Sequence, residues 1–174
     1  MHVYNILLER KSCRTFTEQA IEPEKIEILK KAALLSPSGK RKNHWDFVFI
    51  QNNETINKLS LSKEHGSKFA ENAPLIIAVI GNPEISDTWI EDCSIASIIL
   101  QLEAEELGLG SCWVQIHKRV HSENETSENY VKKLLSIPSN LGVLSLIAIG
   151  YASKKRKPTN EEELSFEKIH HEKY

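Results

Sequence analysis

The sequence predicts one α+β domain spanning residues 1–174, with a mixed sheet of four to five strands flanked by helices. Two segments, 75–81 (LIIAVIG) and 143–150 (VLSLIAIG), are short runs apolar on both faces, the pattern of strands covered on both sides. Residues 86–108 carry Ile90, Ile95, Ile98, Ile99, Leu102 and Leu107 at helical spacing on more than one face, and GLG then ends the run. That pattern predicts a long helix through the core or into a subunit interface. The 174-residue length fits one such domain and leaves no room for a second.

The remaining elements follow in order. Residues 3–10 set Val3, Ile6 and Leu7 on one side of a short helix leading into RKSCRTF. Pro23 near the start, Glu22, Glu24 and Glu27 in the first turns, and Ile26, Leu29, Ala33 and Leu34 on one stripe predict a second helix, stopped by Pro37 and Gly39. DFVFIQ at 46–51 reads as a strand, Asn52-Asn53 as a turn and 54–61 as a helix. KEHGSKFAENAP is loop-like. SCWVQI at 111–116 is a further strand, and a polar loop and a helix around ENYVKKLLSI lead from it to the strand at 143–150. The tail from Lys154 to Tyr174 is charged and interrupted by proline.

Apolar residues make up 40% of the chain and charged residues 26%, a folded, water-soluble composition. A net charge of −2 argues against nucleic-acid binding, which draws on clustered cations. The N-terminus has no signal-peptide pattern, and no apolar run approaches the roughly 18–20 residues that span a bilayer. A cytoplasmic protein without a membrane partner is expected. Cys13, Cys93 and Cys112 stand in no metal or disulfide spacing and read as free thiols in a reducing compartment. His117 and His121 are four apart, but the segment reads as a strand leaving into a loop, so no metal site is expected. Cys112 reads as a packed thiol, and KKRK at 154–157 as a mostly solvated basic face.

Two constellations carry chemistry. Arg10, Lys11, Ser12 and Arg14 lie within five residues, and two guanidiniums with a hydroxyl between them match phosphate oxygens. SPSGKRKNHW at 36–45 offers hydroxyls, main-chain amides and an Asn amide in one loop just before a strand, donors suited to a polar ligand edge.

Taken together, these segments resemble the nitroreductase family of FMN enzymes. ERKSCRTF resembles the family's Arg-rich N-terminal signature, SPSGKRKNHW its Pro-Ser loop before a Trp, and residues 89–113 its long helix with the GLGSCW turn; IGYASKKRKP at 149–158 continues the match. The resemblance implies a nitroreductase-like fold in an intertwined homodimer, with FMN at the subunit interface. It implies that Arg10 and Arg14, with Lys11 and Ser12 beside them, hold the phosphate and ribityl chain. Pro37, Ser38 and Asn43 would come from the other subunit to lie along the isoalloxazine. Val114, Gln115 and Ile116 would pass the flavin and offer a main-chain N–H, and Arg156, or else Lys154, would complete the phosphate site.

The implied activity is transfer of electrons from NADH or NADPH through the flavin to nitroaromatics, quinones or related electron-poor small molecules. The cofactor carries that chemistry, so no obligatory catalytic side chain is named. A flavin-binding carrier or redox sensor that turns over nothing quickly is the alternative. The chain departs from many relatives where Arg41, Asn43 and His44 replace an Asn-x-Gln-Pro run. It also lacks the helical insertions that cover the active site in larger members, which implies an open substrate pocket.

Overall fold

A computed structural model describes residues 2–154 and 156–174. The helices are α1 (Val3–Glu9), α2 (Pro23–Leu34), α3 (Asn53–Ser60), α4 (Trp89–Glu106) and α5 (Ser127–Leu135). The strands are β1 (Trp45–Ile50), β2 (Leu75–Gly81), β3 (Gly110–Gln115), β4 (Val120–Ser122), β5 (Glu125–Thr126) and β6 (Gly142–Gly150). Pro23 opens α2, and the side chains of Asn52 and Thr126 cap the free N–H groups at the starts of α3 and α5.

Four strands form one sheet in the order β1-β2-β6-β3, every neighbouring pair antiparallel. The mixed character expected from the sequence is reduced, among the described residues, to a single parallel bridge, Ser12 to Ser111. The reason is topological. β2, α4 and β3 form a crossover whose two strands run parallel, but β6 inserts between them and pairs with both. The polar loop after β3 also holds a small ribbon, β4 with β5, which the sequence pattern does not reveal.

The period-two alternation of β2 divides the core. Leu75, Ile77 and Val79 pack with Leu29, Cys93, Leu100 and Ala104 on the face covered by α2 and α4. Ile76, Ala78 and Ile80 pack with Ile56, Leu59 and Val131 on the face covered by α3 and α5. The register of β2 against β6 slips at Val79/Ile80, leaving Leu144 as the extra residue. Leu144 therefore joins the α4 face beside Ser145, whose hydroxyl meets that of Ser97 at 3.1 Å.

β1 and β3 are the two edges of the sheet. The long helix is buried through Trp89, Cys93, Ala96, Ser97, Leu100 and Ala104, yet leaves Ile95 and Ile98 exposed. Exposed apolar side chains recur on α1, at Val3 and Leu7, and along the tail, at Leu164, Phe166 and Ile169. Among the described residues, no helix is long and apolar enough to cross a membrane.

Candidate functional site

The segment after α1 is stitched to the sheet at two places. The Cys13 N–H donates to the Ser111 carbonyl at 2.8 Å, placing the arm along the open edge of β3. Beyond it the Ser153 N–H donates to the Thr15 carbonyl (3.0 Å) and the Thr17 N–H to the Tyr151 carbonyl (2.8 Å), carrying the chain across the end of β6. Gly110 permits this approach, since a Cβ there would stand 2.7 Å from Cys13 Cβ and Sγ. The arm thus holds Arg10, Lys11, Ser12 and Arg14 at one corner of the sheet.

Cations from three segments converge there. Arg14 lies over the Phe69 ring, 5.9 Å from its centroid. Burial pushes the Cys112 thiol up, and the fields of Arg14 and Arg10 with a hydrogen bond to Ser12 only partly offset it. Cys112 is therefore a protonated packing residue at neutral pH, as its sequence context suggests. Lys63, from the loop after α3, interacts with Cys112, and burial followed by repulsion from Arg119 pulls its ammonium below the ordinary lysine range. Arg10, Arg14, Lys63 and Arg119 have no carboxylate partner among the described residues.

The edge of β3 supplies main-chain donors beside these cations. The Ile116 N–H donates to the Leu144 carbonyl at 3.1 Å, so alternation along the strand turns the N–H groups of Val114 and Ile116 toward β6 and those of Trp113 and Gln115 toward the open edge. Val114 and Ile116 are buried in the core. Of the three expected positions, only Gln115 has an outward N–H.

Behind the arm lies a cavity of about 700 Å³ lined by Glu9, Glu105, Gly108, Tyr151, Ala152, Lys154, Arg156 and Pro158. Arg156 is engaged, donating to the Lys11 carbonyl at 2.8 Å and to Glu105 at 3.0 Å. Lys154 is exposed and has no partner among the described residues, while Lys155 of the same basic run lies outside them. Two carboxylates in the lining make this cavity a poorer anion seat than the cation-rich side of the arm.

Residues 36–45 lie at the opposite corner. Trp45 is level with Gly81 and Gly142, at the start of β6, whereas Ser111 is level with Ile149 near its end. Seven residues of strand and three strand spacings separate them, about 23 Å by about 14 Å. The Pro-Ser loop is pinned to the start of α4. Asp92 accepts from the Gly39 N–H (2.9 Å), from Thr88 (3.2 Å) and from His44 Nε2 (2.8 Å). His44 and Asp92 are each 4% exposed. Burial by itself raises the Asp92 carboxyl, but these hydrogen bonds outweigh it and hold it below the ordinary carboxylate range. The Ser38 hydroxyl donates to Asn43 Oδ1 at 2.9 Å and accepts from the Asn43 N–H at 2.8 Å, leaving the amide nitrogen of Asn43 available.

The family model described as "Putative TM nitroreductase" matches residues 2–173. The chain belongs to the nitroreductase family. An Archaeoglobus fulgidus protein named "Putative NADH dehydrogenase/NAD(P)H nitroreductase" is 33% identical, over 97% of each chain. A solved structure named "FMN-dependent Nitroreductase", from Clostridium difficile R20291, is 38% identical with a TM-score of 0.96, covering 98% of this chain and 99% of that one. A "Putative NADH dehydrogenase/NAD(P)H nitroreductase" of Parabacteroides distasonis ATCC 8503 is 27% identical with a TM-score of 0.90, covering 100% and 99%.

In this nitroreductase chain the structure brings Arg10, Lys11, Ser12, Arg14 and Gln115 to one edge of the sheet, with Lys154 and Arg156 behind the arm, and keeps Pro37, Ser38 and Asn43 apart. Sequence reasoning missed Lys63, Arg119 and Asp92, since each stands in no recognisable motif and its significance comes only from its tertiary neighbours. Among the described residues no cluster of His, Cys, Asp or Glu suits a metal. His117 instead meets Glu128 at 3.2 Å, and His121 stacks on Tyr130.

Proposed function

We propose that this nitroreductase family member binds FMN at the basic corner and uses NADH or NADPH to reduce nitroaromatics, quinones or related electron-poor molecules. The observation that carries the reading is the convergence of Arg10, Arg14, Lys63 and Arg119, without carboxylate partners, beside the outward N–H groups of Trp113 and Gln115. This donor set fits FMN, which joins a phosphate to a ring edge rich in hydrogen-bond acceptors. A bound flavin supplies electron transfer between the nicotinamide and the acceptor.

The chain's own residues bind and orient. Arg10, Ser12 and Arg14 grip the phosphate and ribityl chain, Lys11 and Lys154 add positive field, and Arg156 holds the arm in place. The Gln115 N–H fixes the ring against β3. Lys63 and Arg119 place positive charge beside the ring's polar edge, where it favours the electron-rich form.

The site is shared in a homodimer. One chain holds the arm and the Pro-Ser loop at opposite corners of the sheet, farther apart than one FMN reaches. A two-fold axis brings the second subunit's Pro37, Ser38 and Asn43 to the ring, and burying Ile95, Ile98, Val3 and Leu7 stabilises that contact. Residues 1–174 form a single FMN-binding domain. The three cysteines are buried and unpaired, in keeping with a reducing cytoplasm.

Purified protein should be yellow, and NADH or NADPH without oxygen should bleach its absorbance near about 450 nm within seconds. Colourless protein that takes up no added FMN refutes the cofactor. Flavin that persists with both nicotinamides present marks a carrier rather than an enzyme.

A further inference from the structure

Lys40, Arg41 and Asn43 have φ of 53°, 55° and 46°, three of the six non-glycine residues in the left-handed region among the described residues. Side chains with a Cβ rarely adopt that conformation, Asn excepted, and such a run persists only where its surroundings hold it. Here the anchors are the Gly39 N–H on Asp92, the Asn43 N–H on Ser38, and the Lys42 ammonium on the Ile85 carbonyl. Gly39 itself has no room for a Cβ, which would stand 2.8 Å from Thr88 Oγ1. The pinned turn leaves Lys40 and Arg41 exposed, without a carboxylate partner among the described residues. Two adjacent cations repel each other, and a turn needing only this backbone is better served by Gly or Asn.

We propose that Lys40 and Arg41 form an anion-recognition site on the Pro-Ser loop, selecting substrates that carry a phosphate or carboxylate away from their reacting group. This rests on the reading that the loop borders the flavin of the other subunit. The Arg41 fork matches the paired oxygens of either anion, and Lys40 adds a point charge. The 2′-phosphate of NADPH and a carboxylate on the acceptor are the two sources of that chemistry.

The test uses flavin-loaded dimer, with flavin content and mass measured first. Calorimetric titration then compares 2′-AMP with adenosine for the donor and 4-nitrobenzoate with 4-nitrotoluene for the acceptor. In one of the pairs the wild type should bind the charged member at least about tenfold more tightly. The double variant K40N/R41N, whose Asn residues keep the left-handed backbone, should bring that ratio near one without loss of flavin, and R41K should retain part of it. No preference in either pair, a preference kept by K40N/R41N, or a monomer on that substitution overturns the site. Absence of flavin overturns the underlying reading instead, and is seen before any ligand is added.

Discussion

The Arg156 guanidinium donates to the Lys11 carbonyl at 2.8 Å and pairs with the two carboxylate oxygens of Glu105 at 3.0 and 2.9 Å. One side chain thereby ties the arm that carries Arg10 and Arg14 to the last turns of α4. Glu105 is mostly buried, so removing its partner leaves a desolvated carboxylate unpaired.

Arg156→Ala should accordingly lose about 1–3 kcal/mol of stability, lowering the midpoint by roughly 2–4 °C for each kcal/mol in a chain of this size. It should also weaken FMN binding, since the arm loses its support. Arg156→Lys keeps the charge without the fork and should recover only part of the loss. Thermal denaturation and flavin-fluorescence titration read the two effects. An Ala variant with wild-type midpoint and affinity would show that the clamp is incidental.

Substitutions of Arg10 and Lys63 should differ in their effect on the flavin-free protein. Arg10→Ala should weaken FMN at least about tenfold, the scale of a charge-assisted phosphate contact, with little change in apoprotein stability. Burial and then Arg119 pull the Lys63 ammonium below its ordinary range, so the unfolded chain holds that proton more tightly than the folded one. The folded state is thus penalised at neutral pH, and the penalty is relieved as pH rises from the lowered folded value to the ordinary lysine value. Lys63→Met removes the penalty, so it should raise the apoprotein midpoint while weakening FMN. A variant less stable without flavin would contradict this, and the double substitution should be non-additive for affinity because both residues act on one ligand.

The difference between these two residues shows what a sequence conveys. Arg10 and Arg14 sit four apart around Ser12, so their pattern is local. Lys63 and Arg119 belong to no local pattern in their polar loops, and only the approach of Lys63 to Cys112 and to Arg119 gives them meaning. β2 and β6 are legible because their apolar runs are long and buried on both faces, whereas β4 and β5 have only three and two residues, of which Val120 alone is apolar. The antiparallel pairing was hidden because β6 enters the sheet between two earlier strands. Likewise the main-chain donors of 114–116 could not be sorted before the register against β6 was known, and Arg156 shows no local sign that Glu105 already occupies it.

Asp92 should make the Pro-Ser loop sensitive to acid. Burial raises its carboxyl, but hydrogen bonds from His44, Gly39 and Thr88 hold it below the ordinary range. The folded chain therefore binds this proton more weakly than the unfolded one. Its stabilisation is full above about pH 4 and is lost as pH falls through the lowered folded value. Asp92→Asn turns an amide toward donors that need acceptors, and should cost about 1–3 kcal/mol at neutral pH. The gap from wild type should narrow once the pH falls below the ordinary carboxylate range. Urea unfolding of the apoproteins at the two pH values gives the comparison, and a gap of constant size would mean that the charge of Asp92 is not what the loop depends on.

Disrupting the proposed two-fold contact should remove the flavin without touching a residue assigned to bind it. Ile98 is 37% exposed on α4, and Ile95 (39%) is nearby on the same helix; neither takes part in the backbone hydrogen bond that joins the arm to β3. In a monomer both would face water, where a charged side chain is tolerated at a cost usually within about 0.5 kcal/mol. In a dimer buried through this face, Ile98→Glu places an unpaired carboxylate in an apolar contact, at a cost of several kcal/mol. The variant should therefore keep its fold by circular dichroism, run as a monomer at micromolar concentration, and lose most of its FMN, because Pro37, Ser38 and Asn43 no longer reach the ring from the other subunit. Wild-type protein should likewise release flavin on dilution. A monomeric Ile98→Glu protein that retains stoichiometric FMN would show that one chain builds the whole site, and the Pro-Ser loop would then have no part in it.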